Sequence, residues 1–253
     1  MQFIDLSATI APSPKDAPPF LRIDIAYHDH AQGAAQAQAL LNVSPSVFRN
    51  GEGWATETIT RLGTHDSTHV DAPWHYNSVI QGKPAQTIDQ LPLEWFFSDG
   101  VVFDFTHKPD GDAITIQEIQ AQLNAMAYEL KPLDIVLMHT GRDQFYHQPD
   151  YLFRGPGVTP EATRWLYEQG VRVMGIDAWG WDQPLNIQAK QVMEAGGKPG
   201  VFWAAHQVDL PYAQIERLVN LDQLPPHGFK VACFPLKIQD GSAGPARVVA
   251  ILE

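Results

Sequence analysis

Three histidines and two aspartates fall within eleven residues, in His65-Asp-Ser-Thr-His69-Val-Asp71-Ala-Pro-Trp-His75. Imidazole nitrogens and carboxylate oxygens at such spacing are the donors a divalent transition ion takes from a protein while keeping positions open. His65, His69 and Asp71 supply two neutral rings and one carboxylate, so an ion among them keeps net positive charge. Such an ion lowers the pKa of its water from ~15.7 toward ~7 and polarises a carbonyl oxygen. His75, four residues past Asp71, is open to three readings: a further ligand, a general acid or base, or a surface ring beside Trp74. A ring that titrates near neutrality suits proton transfer beside acidified water.

The spacing argues against one helix carrying all four groups. A helix aligns positions 65 and 69 but swings 71 away, because six residues turn it by ~600°. Pro73 and the β-branched Thr64, Thr68 and Val70 oppose a helix as well. Residues 65, 69, 71 and 75 share parity, so an extended or loop segment turns them to one side. The segment is therefore unlike the helical His-Glu-x-x-His metalloprotease motif. No serine sits in a Gly-x-Ser-x-Gly elbow. Gly196-Gly-Lys-Pro-Gly200 lacks the Walker spacing and reads as a turn.

The elements that must hold this cluster are legible in part. Residues 3–10 and 54–62 read as extended, the second with threonines at every other position, which suits a strand with one polar face. Between them, residues 11–52 are rich in Pro, Ala and Gln, with Pro12, Pro14, Pro18, Pro19 and Pro45, and read as an irregular arm or flap. From residue 101 strands and helices alternate. Val101–Phe105, Asp134–Met138, Val171–Ile176, Phe229–Phe234 and Ala246–Leu252 are strand candidates. Thr115-Ile-Gln-Glu118 is a capping box that opens a helix to about Leu130. Thr159, Pro160 and Gly170 mark the N-cap, first residue and stop of another helix. The expected fold is one α/β domain, residues 1–253, with a mixed sheet.

The composition is that of a globular protein: 253 residues, 44% hydrophobic and 18% charged, enough for a full core. With 29 acidic against 17 basic residues and a net charge of -12, nucleic acid is excluded as a partner. The lone Cys233, in an apolar run, forms no intramolecular disulfide and reads as a buried structural thiol. No segment reaches membrane-spanning length, and the first residues lack a signal-peptide pattern, so a soluble cytoplasmic protein is expected. Trp179 and Trp181, between Asp177 and Asp182, are candidates for an aromatic pocket wall or for core. Trp54 and Trp74 carry the same ambiguity.

The eleven-residue window resembles the signature of the metal-dependent cyclase family, which includes bacterial kynurenine formamidase and isatin hydrolase. That signature reads His-x-Gly-Thr-His-x-Asp-x-Pro-x-His. His65, Thr68, His69, Asp71, Pro73 and His75 match it, and Ser67 replaces the glycine. Gly175–Asp182, Gly228–Pro235 and Ser242–Gly244 extend the resemblance along the chain. The resemblance implies a swivelling β/β/α domain. It implies His65, His69 and Asp71 as ligands of Zn²⁺ or Mn²⁺, and His75 as the catalytic or second-site histidine. It also brings in His206 and Glu216, as pocket-lining groups: His206 beside the ion or on a second one, Glu216 in catalysis. One firmly bound ion is expected. Homodimers or homotetramers are implied, with residues 11–52 as the arm that one subunit lends another.

The combined expectation is a metal-dependent hydrolase of a small amide, lactam, imide, formamide or lactone. Activated water attacks the carbonyl and His75 moves the proton. The alternatives are a cyclase or dehydratase that stabilises an enolate, and a non-catalytic metal- or ligand-binding protein.

Overall fold

The computed structural model describes residues 1–15, 17 and 22–252, so Pro18 and Pro19 lie outside the described residues. The chain forms two compact units, Met1–Ala8 with Ser67–Glu253, and Thr9–Asp66.

The larger unit is built on a nine-stranded sheet. Its order is Gln2–Asp5, Val249–Leu252, Phe229–Ala232, Phe97–Asp104, Ile135–His139, Val173–Ile176, Ala213–Glu216, His69–Asp71 and Ala243–Pro245. The four strands from Phe97–Asp104 to Ala213–Glu216 are parallel to one another, and the flanking pairs are antiparallel. This is the mixed α/β sheet that the alternation of strands and helices predicts. Central parallel strands are buried on both faces, so their sequences are apolar throughout rather than alternating. Val102, Ile135, Leu137, Val173 and Ile215 pack on one side, while Val101, Phe103, Val136, Met138, Met174 and Ile176 pack on the other. The helices Ile116–Met126 and Pro160–Glu168 cover the second side through Ile119, Leu123, Ala162 and Leu166.

Thr115 caps its helix as expected. Its hydroxyl accepts from Glu118 N at 3.4 Å, and the Glu118 carboxylate accepts from Thr115 N at 2.9 Å. The helix stops at Met126, short of Leu130, because Ala127 turns left-handed with φ 50°. Thr115→Ala should lower unfolding free energy by about 1 kcal/mol in a denaturant titration. A change of several kcal/mol would show that the residue does more than cap.

Two expectations fail. Within residues 11–52 the irregular reading does not hold for Asp24–His28 and His30–Leu41. In the unit Thr9–Asp66, Asp24–His28 pairs with Thr56–Arg61 as an antiparallel hairpin, and His30–Leu41 is a three-turn helix. Its capping box is Asp29 with Gln32, and its Ala and Gln residues are good helix formers. Gly33 and Gly53 let the chain pass against that helix: a Cβ on Gly33 would lie 1.8 Å from the Trp54 carbonyl oxygen. The threonine strand has no buried face, since every residue of Thr56–Arg61 is exposed. Second, Pro73 does not oppose a helix but starts one. Pro73–Tyr76 is a single turn with Pro73 at its first position, where the missing N–H costs nothing. The shared-parity argument therefore holds for His69 and Asp71 on their strand and fails for His75.

Cys233 is fully buried and reduced, and burial pushes its thiol pKa up. Among the described residues, no helix is long and apolar enough to cross a membrane.

Candidate metal centre

His69 and Asp71 occupy one short strand, two residues apart, so their side chains leave the same face. Val70 between them turns into the core. The strand pairs antiparallel with Ala213–Glu216, in a register that sets Glu216 directly opposite His69. Directly paired residues project to the same side. Three donors from two strands therefore converge, and their nearest ligand atoms all lie within 4.8 Å of one another. His69 and Asp71 are fully buried and Glu216 is 7% exposed.

The tautomer of His69 follows from its neighbours. Nδ1 lies 2.7 Å from the Ser67 carbonyl oxygen, which can only accept, so Nδ1 carries a proton and donates it. In the neutral ring Nε2 is then the lone-pair nitrogen. It lies 3.2 Å from Asp71 Oδ1 and 3.8 Å from Glu216 Oε2. A lone pair facing two carboxylates in a buried space calls for a cation or a proton among them. Adjacent donors around an ion at ~2.1 Å sit ~3.0–3.4 Å apart, the scale of these separations. The donor set thus fits a divalent ion.

Glu216 also reaches the other way. Its Oε1 accepts from Trp181 N at 3.1 Å and lies 3.4 Å from His206 Nε2. His206 Nδ1 lies 2.5 Å from Asp182 Oδ2, and the same carboxylate accepts from the backbone of Ala205 and His206 at 2.8 and 3.1 Å. Burial alone would lower the His206 pKa, but its bonds to Asp182 and then Glu216 outweigh that and raise it to about 10. Trp203 stacks on the His206 ring at 4.5 Å. His75 stands edge-on to Trp203 at 5.0 Å and 6.0 Å from the His206 ring. One ligand atom of His75 lies within 4.8 Å of one of Asp71. Tyr76, next in the turn, is held as a neutral phenol by burial, then by Tyr212 and the carboxylates of Asp71 and Glu216.

The larger unit therefore brings together His69, Asp71, His75, His206 and Glu216, five of the six residues singled out from the sequence. The sixth, His65, is a half-buried residue near the end of the smaller unit. Asp182 and Tyr76 were not singled out for the site. Asp182 meets His206 across 24 residues of chain and Tyr76 follows the eleven-residue window without belonging to it, so spacing gives no signal for either. Trp181 proves to be core, fully buried with Nε1 donating to Thr163 Oγ1 at 2.9 Å. Trp179 is half-buried under the Arg217 guanidinium, 3.6 Å above its ring. A cavity of about 350 Å³ lined by Val102, Gln122, Met126, His139 and Leu224 contains none of these donors.

Residues 4–183 match the family model Cyclase, described as "Putative cyclase". The chain is 28% identical over 203 residues to the isatin hydrolase of Roseibium aggregatum, covering 76% of this chain and 73% of that protein. It is 29% identical over 191 residues to the kynurenine formamidase of Salinibacter ruber, covering 75% and 76%. Among solved structures, isatin hydrolase A from Labrenzia aggregata bound to benzyl benzoate superposes with a TM-score of 0.74 at 25% identity, over 99% of this chain and 93% of that one. With the family model spanning well over half of its length, the chain belongs to the cyclase family.

Proposed function

We propose that this protein is a metal-dependent hydrolase that opens small amides, among them lactams, imides and formamides, and by the same chemistry lactones. The observation that carries the reading is the buried His69 Nε2 facing the carboxylates of Asp71 and Glu216. His69 and Asp71 would hold the ion, with Glu216 beside them, and His65 joins on the sequence motif alone. Zn²⁺ and Mn²⁺ both suit nitrogen with carboxylate donors. When bound, the ion supplies Lewis acidity, acidifying water and polarising the scissile carbonyl.

The chain's own residues supply the rest. Ser67 holds His69 in one tautomer, and Asp182 holds a proton on His206 Nδ1. His75, between Trp203 and Asp71, moves the proton to the leaving nitrogen or oxygen. Trp203 and Tyr76 give the site aromatic surface beside His206, which favours flat cyclic or aryl substrates. The names of the relatives, isatin hydrolase and kynurenine formamidase, support an amide substrate. We further place the protein in the cytoplasm as a homodimer or homotetramer, on the family resemblance.

The test is metal analysis of the purified protein, followed by a panel of isatin, formylated kynurenine, a cyclic imide and a lactone, with products identified by mass. Gain of one water by any of them supports hydrolysis. Loss of water, or rearrangement at constant mass, would favour the cyclase or dehydratase reading instead. His75→Ala should keep its metal while kcat falls by about 10²–10⁴-fold. An unchanged rate across roughly pH 6–8 would remove His75 from the proton path.

A further inference from the structure

Arg217 directly follows Glu216, and its side chain is 5% exposed. A guanidinium stays charged at any pH a protein survives. A buried charge normally finds a carboxylate. Among the described residues Arg217 has none: its Nε lacks a hydrogen-bond partner, and the group rests on the face of Trp179 at 3.6 Å. The nearby carboxylates accept from neutral donors and make no ion pair with it. Asp177 accepts from Thr140 N, Thr140 Oγ1 and Gly141 N, and Asp143 accepts from Asn220 N.

The backbone fixes Arg217 against the metal centre. Its N–H donates to Ala178 O at 3.1 Å, and its carbonyl accepts from Thr68 Oγ1 at 2.5 Å, one residue before His69. Its φ of 60° is a conformation that a residue with a long side chain adopts at a cost. A run of aromatic ring contacts continues from it through the buried Tyr151. Trp179 meets Tyr151 at 6.0 Å, Tyr151 meets Tyr146 at 5.7 Å, and Tyr146 Oη lies 3.3 Å from Ser67 Oγ. These ring contacts thus start at a guanidinium without an ion pair among the described residues, next in the chain to Glu216, and end at Ser67, two residues before His69.

We propose that Arg217 is a carboxylate-recognition residue, and that the site takes flat aryl ligands bearing an acid group which pairs with its guanidinium. Within the hydrolase reading the acid has two sources. It is carried in on the substrate, or it is born when water opens the amide and leaves a carboxylic acid. The proposal rests on that reading for its place in turnover and not for the binding itself.

The experiment is calorimetric titration of the full chain with benzoate and its uncharged counterpart benzamide, as purified and again with chelator. Benzoate should bind at least about tenfold more tightly than benzamide under both conditions, as a buried charge-assisted pair requires. Arg217→Met should erase that preference at unchanged metal content, and Arg217→Lys should retain part of it. A preference that is absent in the native chain, survives in Arg217→Met, or disappears with chelator would overturn the proposal, the last because the ion alone then holds the acid. Should Arg217→Met fail to fold, the chelator comparison on the native chain decides. N-acetylanthranilate and phenylglyoxylate separate the sources. A larger loss in Arg217→Met for the first marks an acid on the substrate, and a larger loss for the second an acid formed by ring opening. Metal-free protein on purification would sink the hydrolase reading while leaving the benzoate preference to stand or fall by itself.

Discussion

His69→Ala should strip the protein of its divalent ion. Metal content measured by plasma mass spectrometry should fall from near one equivalent to about a tenth or less, since the variant loses a nitrogen donor from a buried site. Hydrolysis should fall by about 10³-fold or more, because water no longer acidified by several pKa units is a poor nucleophile at neutral pH. The size of the effect follows from the geometry. Nε2 is the one ring nitrogen that faces Asp71 and Glu216, and Ser67 fixes it there through Nδ1. Without the ring, Asp71 and Glu216 remain as like charges in a space almost closed to solvent. Asp71→Asn separates charge from shape: it keeps a donor of similar size on the strand and should weaken metal retention less than His69→Ala does. Near-stoichiometric metal in His69→Ala would refute the ligand assignment.

That prediction rests on residues which the sequence exposes readily. His69 and Asp71 are neighbours in the chain, and period-two geometry alone puts them on one face. Glu216 is different. It joins them only because its strand pairs with theirs in a register that nothing local encodes, and only the family resemblance drew attention to it and to His206. Asp182 shows the limit more sharply. It lies in a stretch where tryptophans dominate the reading, and its partner is fixed by a loop 24 residues later. The strands of the parallel centre were legible because burial on both faces leaves a continuous apolar run. The helix His30–Leu41 was not, because alanine and glutamine among prolines resemble a flexible segment unless the Asp29–Gln32 cap is weighed. Pro73 misled for a related reason: a proline forbids the interior of a helix and favours its first turn, and composition does not say which position it holds.

Asp182→Asn should cost about 10–100-fold in metal affinity or kcat, the usual effect of losing a partner that orients a histidine at a metal site. The native carboxylate accepts three N–H groups: Ala205 N on Oδ1, and His206 N and Nδ1 on Oδ2. It therefore keeps the proton on Nδ1, with Nε2 aimed at Glu216. An asparagine has one acceptor oxygen. If that oxygen stays with the backbone amides, the NH₂ group faces Nδ1, which must then accept from it. Nε2 then keeps its proton toward Glu216 while Nδ1 loses its own, so the ring gives up the charge that the two carboxylates hold on it in the native chain. If the oxygen turns to Nδ1 instead, two backbone donors of the loop lose their acceptor and the Trp203 stack on His206 loosens. The two results differ in what is measured. The first lowers kcat with little change in the melting temperature, whereas the second lowers both. Asp182→Glu, which preserves the charge, should recover part of kcat in either case. A variant with native kcat and native metal affinity would show that His206 needs no carboxylate at Nδ1, and that its place beside Glu216 is one of packing alone.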